Sequence, residues 1–209
     1  MRIVKEHDER KNEIIDTATS LFIEKGYDQC SVNDIINSIG IAKGTFYHYF
    51  KSKEDVLDAA VDKMSGQIFI RVQEIASQKE IPPIDRIIQV LFATRVTDHV
   101  GKALIQEMHK TQNALLHQKT LVSIITMLTP VFSEIVGEGN ETGIFHCRYP
   151  EESIQILLSA TLTLLDDGIF QLDNEKTEKM LEAIVFAMEK MFGVKEGTFH
   201  ESFIVREEE

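Results

Sequence analysis

Apolar residues recur along this chain at helical spacing, and the polar residues between them mark where each helix begins and ends. Ile14, Ile15, Ala18, Leu21 and Phe22 share one face of a predicted helix over 8–25, with Asp8 as its N-cap and Gly26 as its stop. Ser31, with Asp34 three residues on, has the form of a capping box. It precedes Val32, Ile35, Ile36 and Ile39, one apolar face over two turns, and Gly40 ends that helix by permitting a positive φ. Ile41 is placed to fill the gap before a third helix over 43–49. That helix is predicted to turn Ala42, Phe46 and Phe50 inward, leaving Lys43, Thr45, Tyr47 and His48 on its other face. Ser52, with Asp55 behind it, caps a long helix from Lys53 to about Ser77 striped by Val56, Leu57, Ala60, Val61, Met64, Ile68 and Val72. Lys79–Pro83 breaks the pattern, because two prolines do not continue a helix.

Further helical patterns follow at about 84–96, 100–109 and 112–136, the last kinked or divided at Pro130. Residues 137–143, GEGNETG, read as a loop. Two strongly apolar helices are predicted at about 151–171 and 174–192, then a loosely held tail over 193–209. Only Phe203–Val205 alternates with period two. The class is all-α, with about nine helices. A three-helix head containing a helix-turn-helix occupies residues 1–52. Residues 53–209 form a larger helical domain, with the helix from 53 to about 77 as connector.

Composition changes this picture in one respect. The chain has 209 residues, 43% hydrophobic, and a formal charge of −12, which by itself argues against a nucleic-acid partner. The acidity is unevenly spread. Gly40 to Lys53 holds Lys43, Lys51 and Lys53 and no carboxylate, whereas residues 56–209 carry 14 Lys and Arg against 24 Asp and Glu. A small nucleic-acid-facing surface on an acidic protein fits that contrast. The charged N-terminus lacks the apolar core of a signal peptide, no uninterrupted apolar run approaches the roughly 20 residues of a membrane helix, and two cysteines fit a reducing cytoplasm.

A helix that enters the major groove needs one apolar face to lock it in place and another that offers donors, small groups and rings. Residues 42–50 supply both. Lys43 is placed to reach a phosphate or a guanine edge, and Gly44 lets the backbone approach closely. Thr45 brings a hydroxyl and a methyl, and Tyr47 and His48 bring donors for phosphates or bases. Lys53 with the amides behind Ser52, and Ser31 with Asn33, make two helix starts suited to phosphate oxygens. The plainer reading of Tyr47, His48, Tyr49 and Phe50 is an aromatic packing cluster, with Tyr49 the member most able to turn toward the core.

These residues carry a resemblance. The LFIEKGY end of the first helix, SVNDII, and GIAKGTFYHYFKSKEDVL together resemble the DNA-binding region of the tetracycline-repressor family of bacterial transcriptional regulators, over roughly residues 10–57. The resemblance implies an all-helical homodimer, a divergent effector-binding C-terminal domain, and a four-helix interface made by the last two long helices of each subunit. It places DNA contacts on Ser31, Asn33, Lys43, Gly44, Thr45, Tyr47, His48, Tyr49 and Lys53. Asn33 stands where many members carry a basic residue. The expectation is a cytoplasmic, nucleoid-associated repressor, not an enzyme and without cofactor. Its partners would be a palindromic double-stranded operator, a second copy joined through the helices at about 151–171 and 174–192, and a small-molecule effector. The alternative is a helical interaction or scaffold protein with a vestigial head.

Other constellations add little. His99, His109, His117, His146 and Cys147 have no common metal-ligand spacing, so no metal is expected. Cys30 beside a helix start reads as an oxidant sensor or a buried structural thiol, and Asp166–Asp167 as facing a cationic ligand or water. An effector pocket is expected among residues 84–136 and the start of the helix after 150. Phe92, Met108, Leu115, Met127 and Phe145 are candidates to line it, and Gln106, His109 or Asn113 to orient a ligand; the alternative for each is ordinary packing.

Overall fold

The computed structural model describes residues 7–94 and 105–199, the side chain of Gln67 excepted. Its described residues form helices α1 (His7–Lys25), α2 (Val32–Ile39), α3 (Lys43–Tyr49), α4 (Lys53–Ala76), α5 (Pro83–Ala93), α6 (Ala114–Glu141), α7 (Pro150–Leu164) and α8 (Asn174–Phe192). A helical stretch at 105–108 and a 3-10 turn at Thr111–Asn113 precede α6. No strand occurs among them, as the all-α reading predicts. The expected helix at 100–109 and the alternation at 203–205 fall wholly or partly outside the described residues.

The chain divides into two compact units, each with its own core. The first takes in described residues 7–65 and 105–123, the second 66–94 and 124–199. In the first, Ile14, Ala18 and Phe22 of α1, Ile35 of α2, Phe46 of α3 and Val56, Leu57 and Ala60 of α4 are sealed from solvent. Met108 and Leu116, from far along the chain, are buried in the same cluster. Asn113 ties that downstream segment down. Its fully buried amide donates to the Ile23 carbonyl at 3.2 Å and to the Glu107 carbonyl at 2.9 Å. Lys119 reaches Asp58 of α4 at 2.6 Å and Glu54 at 3.3 Å. Gln112 packs so closely on Gly26 that a Cβ there would lie 2.8 Å from its own.

The second unit corrects several expectations. The predicted loop at 137–143 begins only after Glu141, because α6 runs on through Gly137 and Gly139. Gly139 is where the Phe145 ring seats, and a Cβ would come within 2.1 Å of that ring. The side chain of Asn140 then pairs with the backbone of Cys147 in both directions, at 2.9 and 2.8 Å. Pro130 does not divide α6. Hydroxyls on either side bond back into the helix, Thr129 to the Ile125 carbonyl and Ser133 to the Thr129 carbonyl.

The helix expected over 151–171 stops at Leu164. Asp166 accepts from the Gly168 amide at 2.8 Å, and its carbonyl takes the Ile169 and Phe170 amides, so a local turn outcompetes the helix. Nor is 193–199 loose. Phe199 is sealed against Phe145 and Phe192, and buried Glu189 accepts from the amides of Gly197 (3.0 Å) and Phe199 (2.8 Å).

A buried ion pair braces this unit from the other side. Arg86 donates to the Ala76 carbonyl at 2.9 Å and bonds Glu138, while Lys79 lies 3.0 Å from the second Glu138 oxygen. The Arg86 guanidinium holds the Glu138 carboxyl below the usual carboxylate range.

Averaged over a membrane-length window, Thr111–Glu141 is long and apolar enough to cross a bilayer, although no uninterrupted apolar run is. Part of that apolarity is buried in the two cores, at Leu116 in the first and Leu128, Phe132, Ile135 and Val136 in the second, while Leu115 and Val122 stand exposed.

Candidate nucleic-acid interface

The geometry of α2 is set by local chemistry. The Ser31 hydroxyl accepts from the Asp34 amide at 3.2 Å, and the Asp34 carboxylate accepts from the Ser31 amide at 2.8 Å, so the predicted capping box is present. The Ser31 hydroxyl and amide, with Lys25 3.3 Å away, pull the Asp34 carboxyl down to about 2. Gly40 adopts φ +76°, and a Cβ there would meet nothing, so backbone conformation alone favours glycine. The amides of Gly40 and Ile41 both return to the Ile36 carbonyl, closing the turn.

Ala42 is not inward-facing as predicted. It is the exposed N-cap of α3, with extended backbone, and its carbonyl takes the amides of Thr45 and Phe46. Phe46 and Phe50 do anchor the helix, their rings 6.1 Å apart in the first core. The opposite side displays Lys43, Gly44, Tyr47 and His48, all exposed, with Thr45 and Tyr49 half-buried. Tyr47 keeps 46% of its surface in solvent, and the Lys43 ammonium stands 5.9 Å from its ring. A Cβ on Gly44 would meet nothing within 4 Å, so no internal packing requires glycine there. What glycine gives this position is a bare backbone on the outer face.

The remaining predicted contacts divide. Ser31 and Asn33 are exposed at the start of α2, Ser31 also serving as the cap. Lys53 is half-buried and engaged within the protein: it donates to the Tyr27 carbonyl at 2.8 Å and lies 4.0 Å from the Tyr27 ring centroid. The α4 start behind it is capped as predicted, the Asp55 amide donating to the Ser52 hydroxyl at 3.0 Å. Cys30 is buried, and burial raises its thiol pKa, which favours the structural reading.

Sequence reasoning missed His7. Its ring lies 4.8 Å from that of Tyr49 and 5.9 Å from that of His48, so the first turn of α1 meets the end of α3. Helical periodicity carries no signal for such a contact, since His7 sits before the apolar face of α1 begins. His109 and His117, whose spacing matched no ligand pair, have ring centroids 4.9 Å apart. Among the expected pocket residues, Met108 and Asn113 are built into the first core, Leu115 is exposed, and Phe145 fills its aromatic trio.

Comparison with known proteins bears on this geometry directly. The family described as "Bacterial regulatory proteins, tetR family" matches residues 14–60, and "Tetracyclin repressor-like, C-terminal domain" matches residues 96–191. The chain is 29% identical over 133 residues to the fatty acid metabolism regulator protein of Bacillus subtilis, an alignment spanning 63% of this chain and 68% of that protein. It is 31% identical over 91 residues to the HTH-type transcriptional repressor KstR2 of Mycobacterium tuberculosis, and so spans only 44% of that repressor's length. Among solved structures, a transcriptional regulator of the TetR/AcrR family from Thermobifida fusca superposes with a TM-score of 0.57 at 28% identity, covering 85% of this chain and 97% of that one. The two family matches together span more than half of the sequence, and the first contains all of α2 and α3. The chain belongs to the tetracycline-repressor family of bacterial DNA-binding transcriptional regulators.

Proposed function

We propose that this protein is a ligand-responsive repressor that binds a palindromic operator as a homodimer and is released by a small-molecule effector. The observation that carries the reading is α3. Buried Phe46 and Phe50 lock it on one side, while Lys43, Gly44, Tyr47 and His48 stand exposed on the other with no carboxylate among them. Such a helix fits the major groove, with Thr45, Tyr49, Ser31, Asn33 and Lys53 around it as further contacts. Lys53 keeps its role at a cost, since it must share its ammonium with the Tyr27 carbonyl. Residues 1–52 act as the DNA-binding head and residues 53–209 as the effector and dimerisation part.

Apolar surface on the last two helices supports the homodimer. Ile156 of α7 is 54% exposed, and Leu181 and Phe186 of α8 are 40% and 47% exposed, a pattern suited to pairing about a two-fold axis. The effector acts by preferring the conformer whose heads misfit the operator. Fatty acids and their derivatives are the first effectors to test, because one relative is named for fatty acid metabolism. The protein works in the cytoplasm, without catalysis.

The test is selection of binding sites from random duplexes by the whole chain. A palindromic consensus is expected, with binding weakened by salt and abolished in a Lys43→Ala, Tyr47→Ala, His48→Ala variant. A wild type without sequence preference refutes the repressor reading and leaves an interaction protein with an unused head. Repeating the binding with a panel of acyl compounds identifies what releases the DNA.

A further inference from the structure

Three rings from two helices close a triangle at the end of α3. His48 and Tyr49 are 5.0 Å apart, edge to face, and His7 completes the figure at 5.9 Å from His48 and 4.8 Å from Tyr49. His48 and Tyr49 are neighbours in sequence, so on a helix their side chains leave the axis about 100° apart. Nothing in α3 itself makes two such rings share a position. The bridging ring comes from α1, and Asp8 stands 3.4 Å from its Nδ1. Tyr49 in turn is half-buried, resting partly on the first core and partly under His7. The Tyr49 ring is thus held at the rim of the helix and kept from folding fully inward.

We propose that His7 is a positioning residue of the DNA-reading surface: its ring braces Tyr49 and His48 against α1 and so fixes their orientation before DNA arrives. The proposal rests on the reading of α3 as the helix that meets DNA. Its energetic basis is ordering. A side chain immobilised on binding costs free energy, and one already held does not. An aromatic contact of this kind is also directional, favouring the tilted and edge-on arrangements seen here. His7 therefore acts through its neighbours, and the shape of its ring matters more than its nitrogen atoms.

The test uses the whole chain at pH 8 and a duplex obtained by selection from random sequences with the wild type. Tyr49→Ala and His48→Ala first establish the operator positions at which each blurs base preference. His7→Ala is expected to weaken binding about three- to tenfold, to blur preference at those same positions, and to leave both the melting temperature and the salt dependence of binding unchanged. His7→Phe, which keeps a ring, is expected to restore affinity and preference. Wild-type affinity in His7→Ala overturns the proposal, as does failure of His7→Phe to rescue. A shallower salt dependence in His7→Ala also overturns it, by making His7 a direct phosphate contact. If the wild type selects no sequence, the repressor reading itself fails and takes this proposal with it. A selective wild type beside an unaffected His7→Ala sinks the proposal alone.

Discussion

Gly40 and Gly139 look alike in the sequence, the first a glycine where a helix is expected to end, the second a glycine in the loop expected after one. The structure separates them. Gly40 ends α2 by adopting φ +76°, with open space where a Cβ would stand. Gly139 lies inside α6 and ends nothing, but the ring of Phe145 occupies the place of its missing side chain. One glycine answers to the backbone and the other to a partner six residues on. The ends of the head helices around Gly40 are set by local rules, whereas the turns of the second unit around Gly139 are set by contacts that no local rule announces.

The sharpest way to break this comparison is at Gly139. Gly139→Ala is expected to destabilise the second unit by about 3 kcal/mol, because the Phe145 ring must leave its seat. Equilibrium urea denaturation measures it. A Gly139→Ala, Phe145→Ala cycle should show strong coupling, and additive losses would mean that the ring is not the cause. Next is Glu189→Ala, which strips the amides of Gly197 and Phe199 of their acceptor, at about 2–3 kcal/mol by the same measurement. A change within error would return 193–199 to the loose tail expected from sequence. Gly40→Ala follows, at about 1–2 kcal/mol for forcing a Cβ into the left-handed region. Here asparagine should be milder than alanine, and at Gly139 harsher. The same order at both sites would erase the distinction.

The smallest effect is the acid response of the α2 cap. Asp34 titrates near 2 in the folded protein, below the roughly 3.9 of a free aspartate. Its contribution is therefore fully present above about pH 4 and is lost as the pH falls through about 2. The protection of the α2 amides, taken relative to their intrinsic exchange rate at each pH, should fall over that interval in the wild type and change less in Asp34→Asn. An identical profile in both would show that the cap does not hold the helix.

The same contrast explains what could be read in advance. Ser31 with Asp34, Gly40 and Ser52 with Asp55 are signals that act within four residues, and the head helices stand as predicted. Ala42 was misplaced because the inward i, i+4, i+8 row was extended one residue past the start of α3, into its cap. The early end of α7 was also legible, since Asp167–Gly168 is a turn signal that the apolar run around it obscured. Gly139, Phe199 and Glu189 were not legible, since each depends on a partner brought in by the fold. On the proposed interface, the exposure of Lys43, Tyr47 and His48 followed from the period of α3. The engagement of Lys53 of α4 with Tyr27 in the turn after α1, and the approach of His7 of α1 to Tyr49 of α3, join segments far apart in the chain, and periodicity carries nothing about either.

Met108, Asn113 and Leu116 bear on how such proteins can be recombined. The core of the head is completed by side chains from far downstream, and the Asn113 amide closes on a carbonyl of α1. A graft of residues 1–52 onto a relative's remaining sequence would carry an apolar socket without its plug, and the host's own plug would meet a socket of another shape. Exchange of DNA specificity between such regulators should therefore succeed when both 53–65 and 105–123 travel with the head. Two stretches distant in the gene would then be inherited as one part.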